Sequence, residues 1–116
     1  MSNQHIFALH KDSIYKINIQ TGDYDKLSSN WDGTVCMAQS PDKLYALHGD
    51  SIYEIDKESG DYKKLSDDGW DGSTLMTYQN KELFVLHKQT IYGVSIHTGE
   101  YRKLTAQGWD ESSFLV

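Results

Sequence analysis

The stretch Phe7-Ala8-Leu9-His10-Lys11-Asp12-Ser13-Ile14-Tyr15 returns as Tyr45-Ala46-Leu47-His48-Gly49-Asp50-Ser51-Ile52-Tyr53 and again as Phe84-Val85-Leu86-His87-Lys88-Gln89-Thr90-Ile91-Tyr92. A turn follows each copy: Thr21-Gly22-Asp23-Tyr24, Ser59-Gly60-Asp61-Tyr62 and Thr98-Gly99-Glu100-Tyr101. Next come the pairs Lys26-Leu27, Lys64-Leu65 and Lys103-Leu104, which lead into Trp31-Asp32, Trp70-Asp71 and Trp109-Asp110. The tryptophans fall 39 residues apart both times. A fixed period of this size marks a chain of stacked copies of one supersecondary unit, none of which buries its apolar face alone.

Within each unit, apolar β-formers come in runs of about five bounded by Gly, Asn, Asp, Ser and Lys, which predicts four short strands. In the middle unit these are A at Val35–Gln39, B at Leu44–His48, C at Ser51–Asp56 and D at Tyr62–Ser66. Gly49-Asp50 makes a two-residue hairpin between B and C, and Ser59-Gly60 turns C into D. The single proline, Pro41, falls in the A-to-B turn, and no segment carries a helical period. The expectation is an all-β chain, a single repeat domain over 1–116 with repeats near 5–39, 40–78 and 79–116, each a four-stranded antiparallel blade of a β-propeller. A β-trefoil, also built from three four-stranded units, is the alternative; tight sequential hairpins argue against it.

The phase of the repeat sets a further expectation. The first unit opens on a strand B, and a lone strand A at 112–116 follows Trp109-Asp110. Three blades fall below the usual four to eight, so the chain is expected to close by homo-oligomerisation. The predicted form is a six-bladed homodimer held by strand exchange, each 112–116 strand completing the first blade of another chain.

Composition narrows the function. Seventeen acidic against eleven basic residues give a net charge of −6, with no basic run to neutralise phosphates, so no nucleic-acid partner is expected. No run of eighteen apolar residues predicts membrane insertion, and no charged n-region with an apolar stretch marks a leader, pointing to the cytoplasm or leaderless export. The single Cys36 excludes an internal disulfide framework and reads as a small buried hydrophobe. Lys57 to Lys64 alternates with Glu58 and Asp61 and reads as a solvated hairpin edge. Eight Tyr and three Trp against three Phe favour rings with a polar handle, suited to a hydroxylated ligand.

Gly69-Trp70-Asp71 and Gly108-Trp109-Asp110 before strand A, together with Leu44 to Tyr53 across the B–C hairpin, resemble the tachylectin-type propeller lectins. The resemblance covers nearly the whole chain and is closer than that to WD40 repeats, where the Trp-Asp pair closes the third strand. It implies a multivalent carbohydrate-binding protein with repeated shallow sites for N-acetylated hexosamines between neighbouring blades. It implies this with departures: three blades instead of five, a shorter C-to-D turn, and Asn30 where Gly precedes the other two tryptophans.

In an up-and-down blade the D-to-A and B-to-C connections share one rim, which gathers the candidate ligand-binding residues. Trp31, Trp70 and Trp109 offer rings for the C–H face of a sugar, while Asp32, Asp71 and Asp110 offer acceptors. His10, His48, His87, Asp12 and Asp50 add polar contacts. Each has a plainer reading: tryptophan wedged between blades, aspartate accepting backbone N–H groups, histidine steadying its turn. Neighbouring blades hold the histidines too far apart for one tetrahedral shell, so no metal and no cofactor is expected. No phosphate loop, nucleophile elbow or His-Glu metal motif occurs, and equivalent residues are spread over three copies, which argues for binding and not for an enzyme. A non-catalytic protein-interaction or structural propeller is the alternative function.

Overall fold

The computed structural model describes residues 5–66, 69–109, 111–112 and 115. Among them are eleven strands and no helix: β1 (His5–His10), β2 (Ser13–Asn18), β3 (Tyr24–Ser29), β4 (Thr34–Gln39), β5 (Lys43–His48), β6 (Ser51–Asp56), β7 (Tyr62–Ser66), β8 (Ser73–Gln79), β9 (Glu82–His87), β10 (Thr90–Ser95) and β11 (Tyr101–Lys103). They form three antiparallel meanders, β1-β2-β3, β4-β5-β6-β7 and β8-β9-β10-β11, each strand paired with its neighbour in sequence. The four strands expected in the middle unit are all present, with β4 and β5 each starting one residue earlier. Of the expected strand 112–116, residues 113, 114 and 116 lie outside the described residues; Ser112 and Leu115 belong to none of the eleven strands.

Register follows from the hairpins. In the B–C turns the first residue is left-handed in every unit, Lys11 at φ 60°, Gly49 at 65° and Lys88 at 59°, and pairings such as His48↔Ser51 and Leu47↔Ile52 propagate from there. Gly49 takes this conformation freely, whereas the two lysines hold it against their Cβ atoms. The C–D turns are held by side chains that accept backbone N–H bonds. Asn18 Oδ1 accepts from Gln20 and Thr21 at 2.8 and 3.1 Å, and Asp56 Oδ1 from Glu58 and Ser59 at 2.7 and 2.9 Å. Ser95 Oγ accepts more loosely from His97 and Thr98, at 3.2 and 3.4 Å.

The sheets stack face to face in sequence order, with β4 against β8. Leu44, Ala46 and Ile55 pack on Ile14 of the first sheet, and Tyr45, Leu47 and Ile52 pack on Leu83, Val85 and Val94 of the third. The middle sheet is therefore covered on both faces, which is why Leu44-Tyr45-Ala46-Leu47 is apolar without alternation. Each stacking seam also seats a glycine turn on the preceding sheet. A Cβ at Gly60 would overlap the Leu27 carbonyl oxygen, and one at Gly99 the Leu65 carbonyl oxygen, so both turns press backbone on backbone.

Lys57 corrects one expectation. It is half-buried and engaged: its ammonium donates to Gln39 Oε1 at 2.7 Å and to the Ser40 carbonyl at 2.6 Å, and lies 5.5 Å from the centre of the Phe7 ring. It ties the first sheet to the second, and its desolvation lowers its pKa. Cys36 packs against the core between the second and third sheets, and burial pushes its thiol up to about 12, so it stays protonated at neutral pH.

Candidate functional site

The D-to-A links do share a rim with the B–C turns. The Trp31 N–H donates to the Asp12 carbonyl at 2.9 Å, Trp70 to Asp50 at 3.1 Å and Trp109 to Gln89 at 3.1 Å. At the far end of each link the Gly49 N–H donates to Gly33 and the Lys88 N–H to Gly72, extending the β4–β5 and β8–β9 pairings. A second tight bond closes each link, from Thr34 to Trp31, Ser73 to Trp70 and Ser112 to Trp109, all at 3.1 Å.

The same backbone bonds hold all three tryptophans, but the first two are also covered by the sheet that follows them. Trp31 is 3% exposed and Trp70 5%, whereas Trp109 is 46% exposed. His48, Tyr53 and Tyr62 stand edge-on to Trp31, with ring centres at 5.3, 5.6 and 5.2 Å. His87, Tyr92 and Tyr101 repeat this around Trp70 at 5.5, 5.8 and 5.4 Å. Such T-shaped contacts set positive ring edges against negative faces. The buried indole N–H groups are satisfied, Trp31 by Ser28 Oγ at 2.8 Å and Trp70 by Ser66 Oγ at 2.9 Å. These two tryptophans organise the seams between sheets and present little of their rings to solvent.

The histidines are fixed in the same way. Thr34 Oγ1 lies 3.0 Å from His48 Nδ1, and Ser73 Oγ lies 2.8 Å from His87 Nδ1, leaving Nε2 free of that bond. Desolvation lowers the His87 pKa, the nearby Lys88 lowers it further, and the Asp71 carboxylate opposes both. The net shift favours the neutral imidazole.

Two clefts open beside these tryptophans. The larger, about 590 Å³, lies between the second and third sheets and is lined by Gly69, Trp70, His87, Tyr92, Tyr101 and the Thr98–Glu100 turn, among others. The smaller, about 120 Å³, lies between the first and second sheets and is lined by Ser29, Asn30, Trp31, His48, Tyr53 and Tyr62. The two share the same Trp, His, Tyr, Tyr set at equivalent repeat positions. Of the residues nominated from sequence, the clefts bring together Trp31 with His48 and Trp70 with His87. Asp32, Asp50 and Asp71 line neither cleft, and Asp50 instead accepts the Ser51 hydroxyl at 3.1 Å. His10 is exposed on the first sheet, and Asp110 lies outside the described residues. The tyrosines Tyr53, Tyr62, Tyr92 and Tyr101 were not nominated. Their recurrence at two fixed positions of each unit was the available signal.

No protein-family model matches the sequence, and no curated protein matches it. Solved structures do. The chain is similar to TolB from Acinetobacter baumannii, with 18% identity, a TM-score of 0.69, and 90% of this chain and 30% of that one covered. It is similar to virginiamycin B lyase from Staphylococcus aureus, with 16% identity, a TM-score of 0.61 and 85% and 36% covered. It is also similar to the N-terminal domain of Nup159, with 15% identity, a TM-score of 0.58 and 89% and 28% covered. All three are β-propeller proteins.

The fold is that of propeller blades. The trefoil alternative is set aside, and the three sheets are three blades, the first described with strands B, C and D alone. The chain spans about a third of the length of the solved propellers it matches. Among the described residues no helix is long and apolar enough to cross a membrane.

Proposed function

We propose that this chain is a non-catalytic, multivalent carbohydrate-binding propeller module whose ligands enter the clefts between neighbouring blades. The observation that carries the reading is the recurrence of one aromatic cleft at two seams, the wider having the volume of a small-molecule site, roughly 300–1,000 Å³. In the wide cleft, exposed Tyr101 and half-buried Tyr92 offer apolar faces for sugar C–H groups. The Tyr101 hydroxyl, the Glu100 carboxylate, the Thr98 hydroxyl and His87 Nε2 offer polar partners for sugar hydroxyls and an acetamido group. The resemblance to tachylectin-type lectins supports N-acetylated hexosamines as the ligand class. Similar weak sites on one scaffold suit avidity, whereas catalysis calls for one specialised site. Closure of the ring by a second copy of the chain belongs to the same proposal.

The rim also favours a second reading, a protein-interaction module. The narrow cleft, at about 120 Å³, is below the small-molecule range, while Tyr24, Tyr62 and Tyr101 form a repeated line of exposed rings. A glycan array followed by calorimetric titration with N-acetylhexosamines separates the two. Saturable binding is expected; silence across the array, with the protein folded by circular dichroism, would leave the interaction module standing.

A further inference from the structure

We infer that the outer faces of the first and third blades are the two halves of one seam, and that each is completed by a second copy of this chain. The inference rests on the ring-closure part of the proposed function and not on its glycan part. Its basis is that the chain displays the same seam twice, between blades one and two and between blades two and three. Every element of that seam recurs a third time, divided between opposite ends of the stack.

Four elements make the comparison. The first is the tryptophan and its cage: Trp31 and Trp70 each stand among one His and two Tyr rings. Trp109 is 46% exposed with no ring partner among the described residues, while the third trio stands ready on the first blade, His10 6.2 Å from Tyr15 and Tyr15 5.8 Å from Tyr24. The second is the hydroxyl on the histidine. Thr34 and Ser73 each stand three residues after a tryptophan and meet the Nδ1 of His48 and His87; Ser112 holds that position after Trp109, and His10 is its counterpart.

The third element is the glycine turn. Gly60 and Gly99 press on the carbonyls of Leu27 and Leu65, but at Gly22 nothing lies within 4 Å of an added Cβ, and the equivalent leucine, Leu104, is 46% exposed. The fourth is the apolar face itself. Leu44 and Leu83 are 2% and 0% exposed inside their seams, while Ile6, at the same repeat position, is 52% exposed. Because Trp109, Leu104 and Ser112 lie at one end and His10, Tyr15, Tyr24, Gly22 and Ile6 at the other, the contact is head-to-tail: the third blade of one copy against the first blade of the next.

The seam creates a third aromatic cleft from two chains. Gly108 precedes Trp109 as Gly69 precedes Trp70, and Thr105 stands four residues before its tryptophan, as Ser66 does. This composite cleft therefore takes after the wide one.

Native mass spectrometry and light scattering at micromolar concentration test the seam. The unaltered chain is expected at twice its chain mass. Trp109→Glu removes one half of the seam and Ile6→Glu the other; both residues are exposed, so each variant is expected to keep its strand circular dichroism and run as a single chain. Mixing the two variants is expected to restore a two-chain species and nothing larger, since such a pair holds one intact seam. A single-chain mass for the unaltered protein, or an unchanged mass in either variant, overturns the seam. A ladder of three, four and more chains keeps the seam and overturns closure by two copies.

Discussion

The two internal seams use the same four aromatic residues and yet enclose clefts of about 120 and 590 Å³. In the narrow one the indole of Trp31 reaches back three residues to Ser28; in the wide one that of Trp70 reaches back four, to Ser66. The link before Trp70 is thus one residue longer, and Gly69 stands where Asn30 lines the narrow cleft. Asn30 and Gly69 both have positive φ, 72° and 111°, so the turn is kept while the side chain and the spacing change. The aromatic set fixes how blades stack. The residues just before each tryptophan differ where the room between blades differs.

The largest expected effect comes from breaking the shared part. Trp70→Ala removes a buried ring from the cluster that includes Tyr45, Leu47, Met76 and Val85, and Trp31→Ala does the same beside Ile14 and Leu44. Each is expected to cost about 3–5 kcal/mol, a large share of the ~5–15 kcal/mol typical of a domain. Urea unfolding at fixed chain concentration reads this out. A loss under about 1 kcal/mol for either variant would mean that the ring fills space without holding its seam.

The next effect separates the clefts. Tyr62 and Tyr101 are equivalent, 60% and 64% exposed, and each stands edge-on to the tryptophan of its seam. If room decides binding, Tyr101→Ala weakens N-acetylhexosamine binding about tenfold, or ~1.4 kcal/mol, while Tyr62→Ala changes it little. Calorimetric titration of both variants checks this. Equal losses would show that the aromatic set, and not cleft volume, determines affinity.

How much of this could be read from the sequence differs by level. The strands of the middle unit were legible to within a residue because apolar runs such as Leu44–Leu47 and Ile52–Ile55 end at Gly49-Asp50 and Ser59-Gly60, where the backbone turns. The stacking was legible from the repeat. The burial of Trp31 and Trp70 was not, because a Trp-Asp pair in a loop fits an exposed platform and a wedge equally well; the nearby Ser28 and Ser66, which satisfy the indole N–H groups, became meaningful with the fold in view. The tyrosines were overlooked because Tyr62-Lys63-Lys64 alternates like a solvated edge strand. Lys57 was misjudged for a related reason: its partners Gln39, Ser40 and Phe7 lie far off in sequence, and local charge alternation carries no trace of them.

The smallest effect concerns the C–D turns, where the three units differ in the residue whose oxygen accepts the turn's N–H bonds. Asn18, Asp56 and Ser95 occupy the same place, and Asp56 alone of them is a carboxylate. The Ser59 and Glu58 N–H groups, with help from Lys43 at 3.4 Å, hold its pKa down to about 2 from 3.8. A carboxyl with a folded pKa below its unfolded value contributes stability that is complete above the unfolded value and lost as pH falls through the folded one. The window for Asp56 is therefore pH about 4 down to about 2. Asp56→Asn keeps the accepting oxygen, as Asn18 does in the first unit, and removes the titration. The variant is expected to lose less stability than the unaltered protein between those pH values, the two being compared by urea midpoints across the range. Because the group is exposed, the difference is small. Parallel curves would mean that the turn holds equally well with a protonated carboxyl, and that the three C–D turns are interchangeable despite their different residues.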